Sequence, residues 1–91
     1  MTKAELIDRV AGRGQLSRRE ATRAVEATLA VIEEELGAGG EVALSGFGRF
    51  HVSSRGARPG VNPRTGEEIW IEATSVPRFT AGTALKRAVR D

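Results

Sequence analysis

Apolar residues near the start of the chain recur at helical spacing. Leu6, Ile7 and Val10 share one side of a short helix, which Gly12 and Gly14 are expected to end. Ala21, Val25, Thr28, Leu29, Ile32 and Leu36 then repeat over a longer stretch, which predicts a helix from Arg18 to Leu36 with one broad apolar stripe. Each run is preceded by a capping box, Thr2-Lys3-Ala4-Glu5 and Ser17-Arg18-Arg19-Glu20, in which hydroxyl and carboxylate satisfy the free amides of a first turn. Gly37 supplies the expected stop, and Gly39-Gly40 prolongs the break. The chain therefore opens with two helices joined by a turn.

The period then changes to two. Val42 and Leu44 alternate with Ala43 and Ser45. Beyond Gly46-Phe47-Gly48, Phe50 and Val52 alternate with Arg49, His51 and Ser53. This predicts a β-hairpin with one apolar face and one polar face. Residues 55–66 are short of core-forming side chains, and Asn62-Pro63-Arg64-Thr65-Gly66 has the composition of a tight turn. Glu67-Glu68-Ile69-Trp70-Ile71-Glu72 reads as a returning strand. Residues 55–72 thus form a second hairpin, too poor in apolar residues for a core and expected to project as an arm. Val76-Pro77-Arg78-Phe79 rejoins the sheet, with Pro77 marking an edge or a strand start. Ala84, Leu85, Ala88 and Val89 make a final short helix.

Composition sharpens this outline. Of the apolar share of 40%, 13 residues are Ala, and only Phe47, Phe50, Phe79 and Trp70 are aromatic, so a single copy has barely enough to form a core. Cysteine is absent and His51 is the only histidine, which excludes disulfides, thiolate metal sites and His-rich clusters. No apolar run is long enough to span a membrane, and the charged start does not resemble a signal peptide. Net charge is +2, but residues 1–48 hold six basic and eight acidic side chains, whereas residues 49–91 hold eight and four. Arg49, Arg55, Arg58 and Arg64 follow one another with no acid between, as a polyanion-facing surface requires. Twelve of the fourteen basic residues are Arg, whose planar fork suits phosphate and groove edges. Enzyme chemistry finds little support: no nearby carboxylate orients His51, and Glu33-Glu34-Glu35 point in different directions from a helix.

The projecting hairpin is the informative element, because a two-stranded ribbon fits a DNA groove. Pro63 at its tip either wedges between base pairs or only shapes the turn. Together these motifs resemble the bacterial histone-like HU and integration host factor family over essentially the whole chain. The residues that carry the resemblance are Leu6-Ile7-Asp8, Val42-Ala43-Leu44-Ser45-Gly46-Phe47-Gly48-Arg49-Phe50, Asn62-Pro63-Arg64-Thr65-Gly66, Val76-Pro77-Arg78-Phe79 and Ala81-Gly82-Thr83-Ala84-Leu85-Lys86.

The resemblance implies an α+β fold: an N-terminal helix-turn-helix pair, a three-stranded antiparallel sheet with a long β-ribbon arm, and a short C-terminal helix, assembled as an intertwined dimer. Residues 1–91 would form one domain, with 1–40 as the helical dimerisation part, 41–54 and 75–80 as the sheet saddle, 55–74 as the arm and 81–91 as the last helix. It implies a non-enzymatic, architectural protein of the bacterial cytoplasm and nucleoid, with no cofactor, metal, small-molecule substrate or membrane. Its partner would be double-stranded DNA, preferentially bent, nicked or gapped, bound through the minor groove. Pro63 would intercalate, while Asn62, Arg64 and Gly66 shape and anchor the tip. Arg55 and Arg58 would track the groove, Arg49 and Ser53 would lie on the saddle, and Lys3 and Lys86 would flank phosphates. Val25, Leu29, Ile32, Leu36, Leu44, Phe47, Phe50 and Phe79 would form the core shared between two copies.

Some positions depart from the family pattern. Val61 and Thr83 stand where Arg and Lys are usual, and Glu67, Glu68 and Glu72 make the returning limb acidic. These changes imply weaker backbone binding. Trp70 either packs across the arm strands or lies against the sugar-phosphate surface. Two rival readings remain: a site-preferring bender of the integration-host-factor kind working as a heterodimer, and a protein-interaction module that has lost DNA binding.

Overall fold

The computed structural model describes residues 1–90, with the Arg55 side chain outside the described set. Its elements are α1 (Lys3–Gly14), α2 (Arg18–Gly37), β1 (Val42–Leu44), β2 (Gly48–Arg55), β3 (Arg58–Val61), β4 (Glu68–Ile71), β5 (Thr74–Ala81) and α3 (Thr83–Arg90). This is the α+β order expected from the two hydrophobic periods. The chain divides into two compact units, Met1–Glu35 and the remainder from Leu36 onward.

In the first unit both capping boxes form. Thr2 Oγ1 accepts from the Glu5 N–H at 3.2 Å. Ser17 Oγ accepts from the Glu20 N–H at 3.1 Å, and the Ser17 N–H donates back to Glu20 Oε1 at 2.9 Å. The Ser17 N–H, and then its hydroxyl, hold the Glu20 carboxyl below the ordinary glutamate range. Helix α1 runs through Gly12 and Gly14 instead of ending at them. Its left-handed cap is Gln15 (φ 54°), whose N–H returns to the Ala11 carbonyl. Two glycines reduce helix propensity without breaking a ladder that the cap completes. At the far end of α2 the left-handed residue is Gly39 (φ 84°) and not Gly37, which is still helical. Thr28, on the apolar stripe, returns its hydroxyl to the Ala24 carbonyl at 2.7 Å. The core of this unit is small: Ile7, Ala21 and Val25 are buried, with Val10 and Ala11 packed against them.

The second unit holds a three-stranded antiparallel sheet in the order β1-β2-β5 and a separate two-stranded ladder, β3-β4. Phe50 lies opposite both Val42 and Phe79, so the apolar positions of three strands share one face. Phe79 packs on Phe50 and Phe47 at centroid separations of 4.8 and 5.8 Å. Gly48 is buried beneath this cluster. A Cβ there would run into the Phe79 ring and approach the Thr80 carbonyl oxygen to 2.8 Å, which explains the second glycine of Gly46-Phe47-Gly48. Strand β5 is an edge, which accommodates Pro77 opposite Val52. The start of α3 is tied to the β1–β2 turn: the Gly82 N–H donates to the Phe47 carbonyl at 2.8 Å and the Ala84 N–H to the Gly46 carbonyl at 3.0 Å.

Replacing Ser17→Ala removes one side of the second capping box and is expected to lower stability by about 1 kcal/mol, measured as urea midpoint by circular dichroism. A carboxylate held below its ordinary value stabilises the fold above the unfolded group's titration and loses that contribution as pH falls. Unfolding profiles of the parent and of Glu20→Gln, which removes the titrating carboxylate, should therefore converge as pH falls below about 4.5, the ordinary value of the Glu20 carboxyl. Profiles that stay parallel down to pH 3 would dissociate the carboxylate from the cap.

Candidate nucleic-acid interface

The β3–β4 ladder pairs Arg58 with Ile71, Pro59 with Trp70, Gly60 with Ile69 and Val61 with Glu68. Two residues on each limb, Gly56-Ala57 and Glu72-Ala73, separate it from the last β2–β5 pair, Arg55 and Thr74. Gly60 and Ile71 are half-buried and the other six ladder residues are exposed. As expected from the sequence, this hairpin contributes nothing to a core.

Its tip is built around Asn62. The Asn62 N–H donates to the Glu67 carbonyl at 2.8 Å, and its own carbonyl accepts from the Gly66 N–H at 2.8 Å. Its side-chain Oδ1 accepts from the Arg64 N–H at 2.9 Å, forming an Asx turn around Pro63. Gly66 takes φ 75°, a left-handed conformation that a residue with a Cβ would resist. Pro63 is exposed at the apex. It has no N–H, so its ring can lose water without stranding a donor. Arg64 beside it is exposed as well.

On the sheet, register sets the second cluster. Arg49 faces Thr80, His51 faces Arg78 and Ser53 faces Val76, all on the side opposite the phenylalanines. His51 Nε2 lies 2.9 Å from Thr80 Oγ1. Arg78 and Thr80 were missed as candidates in the sequence. With Phe79 assigned inward, period two alone would have turned both outward. Arg49 also reaches Glu41 at 3.9 Å, with both side chains about half exposed. Lys3 makes a similar exposed pair with Glu26 at 3.7 Å. Exposed pairs of this kind contribute about 0–1 kcal/mol, so either cation can be exchanged onto a phosphate at small cost. Arg58 is exposed on the ladder and Lys86 on α3. The backbone of Arg55 closes the β2–β5 ladder against Thr74, but its side chain lies outside the described set.

The departures from the family pattern also have places. Val61 is 62% exposed opposite Glu68, so an apolar and an acidic residue share a position that would otherwise carry a cation. Thr83 is the first residue of α3. Trp70 sits directly across from Pro59 yet stays 62% exposed, so cross-strand packing covers only part of the indole. Among the described residues, no group of three or more His, Asp or Glu could hold a metal ion. No helix among the described residues is long and apolar enough to cross a membrane.

Comparison with known proteins agrees with this geometry. The family described as bacterial DNA-binding protein matches residues 1–90. DNA-binding protein HU of Pasteurella multocida is 52% identical over 90 residues, covering 99% of this chain and all of that protein. HU-beta of Escherichia coli is 51% identical over 89 residues, 98% of this chain and 99% of the relative. Among solved structures, Anabaena HU cocrystallised with DNA superimposes with a TM-score of 0.83 at 40% identity, covering 98% of this chain and 97% of that one. HU from Thermotoga maritima gives 0.71 at 31% identity, with 98% of each chain covered.

Because three of the tip's bonds converge on Asn62, Asn62→Ala should loosen the turn while leaving the sheet intact. Amide hydrogen exchange should rise at Arg64 and stay unchanged at Phe50 and Phe79. Unchanged exchange at Arg64 would show that the Pro-Arg-Thr-Gly backbone holds the turn without the Asx bond.

Proposed function

This chain belongs to the bacterial DNA-binding protein family, and on that premise we propose that it is a histone-like architectural protein that bends and compacts duplex DNA with little sequence preference. Its β3–β4 arm enters the minor groove, and Pro63 intercalates at the tip. The observation that carries this reading is the tip itself: an exposed proline, clamped from both sides by Asn62 and flanked by Arg64, at the end of a ladder with no core role. A rigid apolar ring with no unsatisfied donor can enter a base step and kink the duplex. Arg55 and Arg58 follow the groove, Arg49 and Ser53 meet the backbone from the sheet, and Lys3 and Lys86 hold flanking phosphates. Asn62, Arg64 and Gly66 keep the wedge in place. The protein acts in the cytoplasm on the nucleoid and uses no catalytic step.

The working unit is a dimer, and the exposure of large apolar side chains supports this. Leu29, Leu44, Phe47 and Phe79 are each more than 40% exposed in the single chain, although helical or strand periodicity places Leu29, Leu44 and Phe79 in a core and Phe47, in the β1–β2 turn, packs against Phe79. Taking each unit by itself, Leu29 and Ile32 on the helices, and Leu36, Leu44, Phe47, Phe50 and Phe79 on the other unit, offer apolar surface to a second copy, whereas Val25, expected in that shared core, is already buried against Ile7 and Ala21. Pairing with a related chain would use the same surface.

Binding should be strongest where DNA already bends easily, because the kink costs least there. Anisotropy titrations of a random duplex and of the same duplex with one nick should give tighter binding to the nicked form. Both should weaken steeply with salt, since the affinity comes from phosphate neutralisation. Absence of salt-dependent binding to either would favour a protein-interaction module.

Pro63→Ala should reduce bending, measured by energy transfer between duplex ends, by much more than it reduces affinity. Equal bending by that variant would leave Pro63 as a turn residue only.

A further inference from the structure

The outer face of the sheet carries a group that the DNA-binding assignment does not use. His51, the only histidine in the chain, stands on β2 in a row with Arg49 and Ser53 and directly across from Arg78 on β5. Cross-strand partners of this kind have Cβ atoms about 5 Å apart, so one phosphate can reach both side chains. Thr80, opposite Arg49, bonds His51 Nε2 at 2.9 Å. The described charged groups on this face are Arg49, with Glu41 beside it at 3.9 Å, and Arg78.

We infer that His51 is a phosphate ligand of this surface whose grip depends on its own protonation, which makes DNA affinity dependent on pH near neutrality. The inference rests on the DNA-binding reading and deepens it. The chemistry lies in the His51–Thr80 bond. A neutral imidazole has one donor nitrogen and one acceptor nitrogen, whereas the imidazolium donates from both. Once Nε2 carries a hydrogen it must donate to Thr80 Oγ1, so the threonine hydroxyl hydrogen turns away from the ring. Nδ1–H is left for a phosphate oxygen. A single proton therefore adds one positive charge and directs one further donor, the Thr80 O–H or Nδ1–H according to the starting tautomer, toward the ligand that Arg78 also attracts. A phosphate held in this way keeps the proton in place, so binding takes up one proton at each His51. His51 is the only histidine in the sequence, so His51→Gln isolates its contribution. The ligand is the DNA backbone: the contacts are donors and charge only, with nothing on this face to read a base edge.

The test is the affinity of the full-length protein for a duplex labelled with tetramethylrhodamine, measured by anisotropy at fixed ionic strength from pH 8 to pH 5.5. Circular dichroism would check folding at each pH. Affinity should rise on the order of tenfold per chain as the ring protonates. The slope of log K against log[salt] should steepen by about 0.9 per chain, one added phosphate contact. His51→Gln keeps a polar side chain without a titrating charge and should flatten the pH profile near its weak limb. His51→Arg should flatten it near the tight limb. Normal DNA binding with no pH dependence in the parent, or a dependence that survives in His51→Gln, would overturn the inference and leave the DNA-binding reading standing. Absence of DNA binding at every pH would overturn both.

Discussion

Among the described residues Ile7, Ala21 and Val25 are the only hydrophobic side chains buried, so the fold derives little hydrophobic stabilisation from one copy, and much of the remaining structure follows from that shortage. The phenylalanine cluster assembles in the right register, yet Phe47 and Phe79 keep nearly half of their surface exposed. Burial of apolar area scales with size, and a chain this short reaches a robust core most readily by sharing one. The proposed dimer answers this shortage. It also places two arms, each with its own Pro63 tip, on one assembly.

Freed from any core role, the β3–β4 hairpin follows different rules from the rest of the chain. Its order comes from hydrogen bonds concentrated at one residue, Asn62, and not from packing. Such a tip can present an apolar ring to water without collapsing onto the body. The opposite face of the sheet works in the same way: alternation sends the phenylalanines to one side and Arg49, His51, Ser53, Arg78 and Thr80 to the other. In the proposed assembly the same ladder supplies one face for a second copy and the other for anions. The ion pairs of Lys3 and Arg49 are exposed and weak, so these cations remain exchangeable.

The acidic returning limb and Val61 show how local composition can shift such a surface without changing its fold. Val61 and Glu68 are paired in register, so the arm lacks a cation at one row of the ladder. The outer face of the sheet carries Arg49 and Arg78 together with the chain's only histidine. In the proposed complex, grip moves from the arm toward the sheet.

The amino-acid sequence by itself determined the order and type of the elements. The change of hydrophobic period after Gly37 separates helices from strands, two capping boxes set both helix starts, and Asn62-Pro63-Arg64-Thr65-Gly66 specifies its own turn through bonds spanning only a few residues. It also marked the arm, because a segment poor in apolar residues cannot build a core. What only the tertiary structure decided is which distant residues meet. The register of β2 against β5 brings His51 to Arg78 and Thr80, and Gly48 beneath Phe79, pairings about thirty residues apart that no local pattern encodes. The end of α1 at Gln15 was likewise decided by a cap that closes after the glycines. Local chemistry is legible wherever a bond and its partner lie within one turn. Across strands the pairing emerges only when the whole sheet satisfies its hydrogen bonds and buries one face together.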